Sequence, residues 1–275
     1  MNQSVTTCKH WPISACSWSF QQSIEKIATH LEKLGISHIH LALRPIIDAG
    51  DESGLDYIKS KNLNVSCTML DFPQEDYTTL ESIKKTGGIV PDDSWEDNKA
   101  LFIKAAKITQ SLGVKYISLH GGFIDHNDRD IYAIICDRLK TLADISKDHD
   151  IVLLLETGQE SAEDLKIFLE EVNHPNIGVN FDPANMILYD KGMPTASLKT
   201  IGKWIKHVHI KDAKKTTTTG TWGEEVPWGE GDVDAASFLA TLEAIGYQGA
   251  IAIEREAGDN RFNDIQTAVQ RLKDV

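Results

Sequence analysis

Long hydrophobic runs, clustered basic residues and paired cysteines are all missing from this chain. No apolar segment approaches the roughly 20 residues that a bilayer-spanning helix needs, so a membrane protein is not expected. The opening stretch, MNQSVTTCKHWPISACSWSF, lacks the charged start and apolar core of a signal peptide, and a cytoplasmic location is the expectation. The 28 basic and 41 acidic residues leave a formal charge of −13. Lys84–Lys85 and Lys214–Lys215 are isolated pairs, so nothing here replaces the counterions of a nucleic acid or an anionic membrane. Neither is expected as a partner, and the acidic balance reads as ordinary solubility. Cys8, Cys16, Cys67 and Cys136 form no CxxC pair and no zinc-finger spacing. Cys16, Cys67 and Cys136 sit in apolar stretches and are expected as buried free thiols. No GxGxxG turn follows any predicted strand, which weighs against a dinucleotide fold.

What the 275 residues do contain is an alternation of short apolar runs and longer amphipathic stretches. Strands are predicted at Ile13–Ser17, His38–Leu43, Asn64–Leu70, Tyr116–His120, Ile151–Glu156, Ile177–Phe181, Ile205–Ile210 and Ala250–Ile253. Helices are predicted over Ser23–Leu34, Gly54–Lys61, Ser94–Leu112, Arg129–His149, Ser161–Val172, Ala235–Ile245 and Asn260–Leu272. Eight predicted strands alternating with seven predicted helices, without a low-complexity linker, point to a single (β/α)8 TIM-barrel domain over residues 1–275. The Asp71–Pro91 stretch after strand three is long enough for a lid over the barrel mouth. It serves equally as an interface element, and a homo-oligomer is compatible with the sequence.

Barrels of this kind carry their chemistry at the C-terminal ends of their strands. The titratable residues there are His120, Glu156, Asp182, His209 and Glu254. A lone buried carboxylate costs several kcal/mol or more, and three converging on one mouth repel each other. One divalent metal ion held by Glu156, Asp182, His209 and Glu254 resolves both problems. One imidazole with three carboxylates suits Mn, Mg, Co or Zn. The alternative is a set of salt bridges, with Arg44, Lys211 and Arg255 as the basic residues at hand. His120 fits a packed histidine or a substrate contact equally well, whereas His38 and His40 read as packed or capping residues.

The segments LLLETGQE (Leu153–Glu160), VNFDPAN (Val179–Asn185), HVHIKD (His207–Asp212), WGEGDVD (Trp228–Asp234) and IAIERE (Ile251–Glu256) resemble the sugar phosphate isomerase/epimerase superfamily. This is the xylose isomerase-like TIM-barrel group that also holds ketose 3-epimerases and endonuclease IV. The resemblance spans strands four to eight and implies the same four metal ligands. It favours the second histidine of H-x-H-x-K-D, His209, where spacing alone does not separate it from His207. Gly229 and Gly231 then serve backbone geometry, and Glu230 is expected to help shape the pocket. Two departures stand out. Asn185 occupies the place of a histidine found in endonuclease IV and in ketose 3-epimerases. Lys211 and Lys215 lie where the epimerases carry an arginine. The first departure argues against a three-zinc DNA-repair site, and together they loosen the free-ketose epimerase assignment.

The resemblance implies proton abstraction next to a carbonyl through a metal-bound enediolate, with Glu156 and Glu254 as base and acid. The partner is a small-molecule sugar or sugar derivative. A lyase or hydratase on 3-keto glycosides shares the first steps, and a non-catalytic sugar-binding protein shares the site. His120, Asn185, Lys211, Trp18 and Glu230 are the expected substrate-binding residues. Phe72, Trp222 and Trp228 are further surfaces on which a sugar can stack. Lys211, Lys214, Lys215, Arg255 and Arg261 leave a phosphorylated substrate open.

Overall fold

Short runs rich in Ile, Val and Leu pair side by side in the order in which the chain presents them. The computed structural model describes residues 5–50, 53–218 and 220–275. Residues 1–4, part of the segment expected to lack a leader, lie outside the described residues. The parallel strands are β1 (Trp11–Cys16), β2 (His38–Ala42), β3 (Asn64–Met69) and β4 (Tyr116–Leu119). They continue as β5 (Val152–Glu156), β6 (Ile177–Phe181), β7 (Ile205–Ile210) and β8 (Ile251–Ile253). Strand β1 pairs with β8 on one side and β2 on the other, which closes the sheet into the expected barrel.

Eight helices follow the eight strands: α1 (Ile24–Leu34), α2 (Ser53–Ser60), α3 (Trp95–Ser111) and α4 (Arg129–Asp148), then α5 (Ala162–Val172), α6 (Pro194–Ile201), α7 (Ala235–Ala244) and α8 (Arg261–Lys273). Each buries an apolar stripe against the strands: Ile27, Leu31 and Leu34 do so on α1, and Phe238, Leu239 and Leu242 on α7. Full burial of one such side chain stabilises the fold by about 1.5–3 kcal/mol. Among the described residues no helix is long and apolar enough to cross a membrane.

Three features depart from the expected outline. Helix α6 had no counterpart in the periodicity, because Gly192 and Pro194 punctuate its start and it is only eight residues long. Pro194 occupies the first turn, where its missing N–H costs nothing. A short helix, Leu80–Thr86, lies inside the 71–91 stretch, capped reciprocally by Thr79 and Ser82. The β2–β3 register also shifts between Ile39 and His40, placing His40 opposite Cys67. Such bulges re-aim side chains beside functional sites.

The 71–91 stretch is clamped at its base. The Glu75 carboxylate accepts the backbone N–H groups of Phe72 and Gly88, each at 3.0 Å. Arg138 Nη1 donates to the carbonyls of Ile89 at 2.8 Å and Val90 at 2.7 Å. Gly88 lies directly on the Gly121 backbone with φ +60°, where a Cβ would collide. All four cysteines are free thiols; Cys8, Cys16 and Cys67 are buried, and Cys136 is only half-buried.

Candidate active site

The residues at the C-terminal strand ends meet as expected, because successive parallel strands bring equivalent positions to one level. Ligand atoms of Glu156, Asp182, His209 and Glu254 all lie within 4.8 Å of one another. His209 Nδ1 stands 3.1 Å from Glu254 Oε2, and 3.5 Å from both Glu156 Oε1 and Asp182 Oδ2.

In Asp182, Glu254 and His209 one atom is tied down while another is aimed inward, whereas both Glu156 oxygens accept hydrogen bonds. Asp182 Oδ1 caps the short helix Pro183–Leu188 by accepting the N–H groups of Ala184 at 2.7 Å and Asn185 at 3.0 Å. Glu254 Oε1 accepts the Trp18 indole N–H at 2.6 Å. Glu156 Oε1 accepts from Asn185 Nδ2 at 3.1 Å. His209 Nε2 faces His40 Nδ1 at 3.0 Å. Asp182 Oδ2, His209 Nδ1 and Glu254 Oε2, all buried, make no directed hydrogen bond, although Glu254 Oε2 is ion-paired with Lys211 Nζ at 3.0 Å. Buried polar atoms are rarely left orphaned, and three facing one point fit a cation between them.

Charge is held in place around this point. Burial opposes ionisation of Glu156, but His209 and His120 outweigh it and keep its carboxyl below the usual range. Burial likewise opposes Glu254, where Lys211 and His209 prevail. Lys211 is buried yet held firmly charged by Glu254, Glu256, Asp182 and Glu225. His40 and His207 are pushed well below their ordinary range, by burial first and then by neighbouring histidines. Cys16 is pushed up to about 12 by burial, so it is a neutral thiol 3.8 Å from His209 Nε2.

Beneath the site the barrel interior is polar. His40 Nε2 faces Ser118 Oγ at 3.1 Å, and His207 Nδ1 faces Asn180 Oδ1 at 2.9 Å. His207 Nε2 meets Ser66 Oγ at 3.2 Å, which in turn meets Ser14 Oγ at 3.1 Å. His207 thus lies one layer below His209 on the same face of β7. Asn180 Nδ2 reaches up to Glu156 Oε2 at 3.4 Å.

Above the site opens a cavity of about 860 Å³ lined by Trp18, His120, Asn185 and Lys211, four of the expected substrate-binding residues. His120 Nε2 is 3.9 Å from Glu156 Oε2, and the Tyr77 ring meets His120 edge-on at 5.8 Å. Lys211 Nζ lies 3.0 Å from Glu254 Oε2, so the salt-bridge alternative holds in part; Arg44 and Arg255 bind other carboxylates. Glu230 departs from expectation: it is exposed, pairs with Arg271 at 3.1 Å and does not line the cavity. Phe72 and Trp228 are buried in packing, the latter edge-on to Phe238, while Trp222 does line the mouth. Gly229 and Gly231 serve backbone geometry as expected; a Cβ on Gly231 would strike the Asp212 carboxylate.

Several residues went unforeseen: His40, Asn180, Tyr77, Tyr189, Glu225 and Glu256. Glu256 was open to detection, since two-residue alternation places it on the same side as Glu254. Tyr77 and Tyr189 sit in segments without strand periodicity and carried no such signal.

The sequence profile described as Xylose isomerase-like TIM barrel matches residues 21–275, and the chain belongs to that family. It is 34% identical over 87 residues to L-ribulose 3-epimerase of Methylomonas sp. (strain DH-1), covering 32% of this chain and 27% of that one. It is 24% identical over 160 residues to inosose dehydratase of Salmonella agona (strain SL483), covering 52% of this chain and 53% of that one. The chain thus spans between about a quarter and a half of the length of these curated relatives. Among solved structures, a xylose isomerase domain protein from Planctomyces limnophilus superposes with a TM-score of 0.87 at 28% identity, over 96% of each chain.

Proposed function

We propose that this protein is a divalent-metal-dependent sugar epimerase or isomerase that removes a proton from the carbon next to a carbonyl. The observation that carries it is the buried convergence of Asp182 Oδ2, His209 Nδ1 and Glu254 Oε2 beside the Glu156 carboxylate, with no directed hydrogen bond to any of the three. A divalent cation held by these four residues supplies Lewis-acid polarisation of the sugar's oxygens. Everything else is work for the chain itself.

Glu156 and Glu254 are both kept ionised, so whichever faces the carbon–hydrogen bond is a ready base. The other accepts a proton from solvent through the open mouth and delivers it. Delivery to the opposite face of the same carbon inverts it; delivery to the neighbouring carbon isomerises the sugar. Trp18 and Asn185 fix the two carboxylates by the hydrogen bonds described above, so neither spends its lone pairs at random. Lys211 is held charged, and at His120 burial opposes the charge but Glu156 and Glu75 outweigh it and raise the pKa. Both face the cavity, orient substrate hydroxyls and steady negative charge that develops on oxygen. Tyr77, Trp222 and Tyr189 wall the mouth, with the 71–91 segment as its rim.

The test is turnover of ketoses in D₂O by the Mn²⁺-loaded protein, followed by mass spectrometry and proton NMR. Deuterium is expected in the product, and Glu156→Gln or Glu254→Gln should slow exchange by roughly 10²–10⁴-fold. Full turnover without deuterium sinks the proposal. A dehydratase reading draws support from the longer match to inosose dehydratase. It uses the same base and expels a hydroxyl from the carbon beyond, so its product is lighter by one water.

A further inference from the structure

We propose that the cavity selects an uncharged sugar and rejects its phosphorylated or carboxylated forms, with Glu256 as the residue that enforces the choice. This rests on reading the cavity as a sugar site and goes on to name the substrate class. Phosphate in barrels of this type normally sits in the loops after strands seven and eight, on free backbone N–H groups and free cations. Here the donors that face the cavity are occupied by the protein's own carboxylates, and Lys214 and Arg261 lie outside its lining.

After β7, Asp212 Oδ2 accepts the N–H groups of Gly229 and Gly231, each at 2.9 Å, and its Oδ1 accepts that of Val233 at 3.0 Å. After β8, Glu225 Oε1 accepts the N–H groups of Glu256 at 2.8 Å and Ala257 at 3.2 Å. An anion arriving at either loop finds a carboxylate already in the position it needs.

The cations are equally committed. Among the described residues the cavity is lined by Glu156, Glu254, Asp48, Asp71, Glu225 and Glu256 against Arg44, Lys211 and the His120 imidazole, which lies 3.9 Å from Glu156 Oε2. Arg44 lies 3.0 Å from Asp48 and 3.6 Å from Asp71. Lys211 Nζ lies 2.7 Å from Glu256 Oε2, 3.0 Å from Glu254 Oε2 and 3.7 Å from Asp182 Oδ2. Arg255 is turned away onto Glu225 at 2.7 Å and Asp264 at 2.9 Å, and Lys215 onto Asp190 at 2.6 Å. A dianion at the rim therefore competes with a carboxylate for every one of these side-chain cations. A neutral polyol instead finds acceptors for its hydroxyls on every side.

Glu256 is the adjustable member of this set. Its side chain is half exposed, whereas the partners it shares Lys211 with are buried. It also holds no helix or loop in place through its carboxylate, so Glu256→Gln should fold normally. The experiment is calorimetric titration of the Mn²⁺-loaded protein with D-fructose and with D-fructose 6-phosphate, for wild type and Glu256→Gln. Wild type should bind the phosphate ester at least about tenfold more weakly than the free ketose, as like charges in a partly buried site require. Glu256→Gln should narrow that ratio by about threefold or more, because Lys211 loses its nearest anion. Tighter binding of the phosphate ester by wild type overturns the charge selection and leaves the sugar reading standing. An unchanged ratio in the variant overturns the role of Glu256. Binding of neither ligand overturns the sugar reading and this inference with it.

Discussion

Adding a divalent ion should stabilise this protein, and removing His209 should abolish the effect. An unsatisfied buried polar atom costs about 1–3 kcal/mol. With Glu254 Oε2 already 3.0 Å from Lys211 Nζ, Asp182 Oδ2 and His209 Nδ1 leave on the order of 2–6 kcal/mol to be relieved by a ligand that meets them both. The upper end of that range corresponds to a dissociation constant of roughly 40 μM. At a hundredfold excess over the dissociation constant, binding stabilises the folded state by about 2.7 kcal/mol. For a chain of this size each kcal/mol moves the thermal midpoint by about 2 °C, so a rise of roughly 5 °C is expected. The assay is thermal unfolding of EDTA-treated protein with and without Mn²⁺, Co²⁺, Mg²⁺ or Zn²⁺, with elemental analysis of the dialysed sample. About one ion per chain and a concentration-dependent midpoint are expected for wild type, and neither for His209→Ala. A wild-type midpoint indifferent to all four ions, with no stoichiometric metal, refutes the reasoning. Lys211 and His209 would then suffice as counter-charges for the carboxylates, and the orphaned atoms would need water as their partner.

Two further outcomes follow from residues beneath and beside the site. If His209 presents Nδ1 to a cation, its proton sits on Nε2 and is donated to His40 Nδ1, leaving His40 Nε2–H to donate to Ser118. His40→Ala should therefore weaken Mn²⁺ binding by about 10–100-fold in calorimetric titration while the far-ultraviolet spectrum is unchanged. The second outcome concerns Glu160, which is 7% exposed and pushed up to about 8 by burial, Lys191 offsetting only part of the effect. Its folded pKa lies above its ordinary 4.5, so the folded state holds the extra proton between those values and stability falls as pH rises through that window. Glu160→Gln should remove that loss, gaining on the order of 5 kcal/mol over wild type at pH 9 and little at pH 5. Denaturant titrations at the two pH values measure it, and equal gains at both would contradict the buried acid.

Much of this arrangement was legible in the strands and little of it in the loops, for physical reasons. A strand buried on both faces needs apolar residues along its length, so the first charged residue after VLLL or IAI marks where the chain reaches the mouth. Glu156 and Glu254 are found that way, and Asp182 and His209 follow from the same logic. Lys211 and Asn185 lie within three residues of those ends, and proximity in the chain carried them into the cavity. No comparable constraint acts on Glu230, Phe72 or Trp228, which occupy loops with no periodicity to orient them. There the chain's path decides: Arg271 takes Glu230, and Phe238 packs against Trp228. His40 was hidden for a different reason. A histidine within HIHLA looks like a packing residue until the bulge after Ile39 and the closure of the barrel set it across the interior from β7, against His209.

The polar interior ties fold and chemistry together. A (β/α)8 barrel ordinarily fills its centre with interlocking branched side chains. This one sets Ser14, Ser66, His207 and Asn180 into a hydrogen-bonded chain that climbs from β1 across β3 and β7 to β6, ending at Glu156. A second chain runs from Ser118 through His40 to His209. Each buried polar group in these chains is stable only while its partner stays in place, since an unmade bond in low dielectric costs more than a made one returns. The ring planes of His40 and His209 and the amide of Asn180 are thereby fixed by direction as well as by volume, which apolar packing alone does not achieve. Directional fixing is what a site with three converging carboxylates demands. A small rotation of Glu156 or His209 would turn an aimed donor set into mutual repulsion. The departure from an apolar barrel core is therefore best explained from above: the interior is polar because the groups at the mouth must be held by angle.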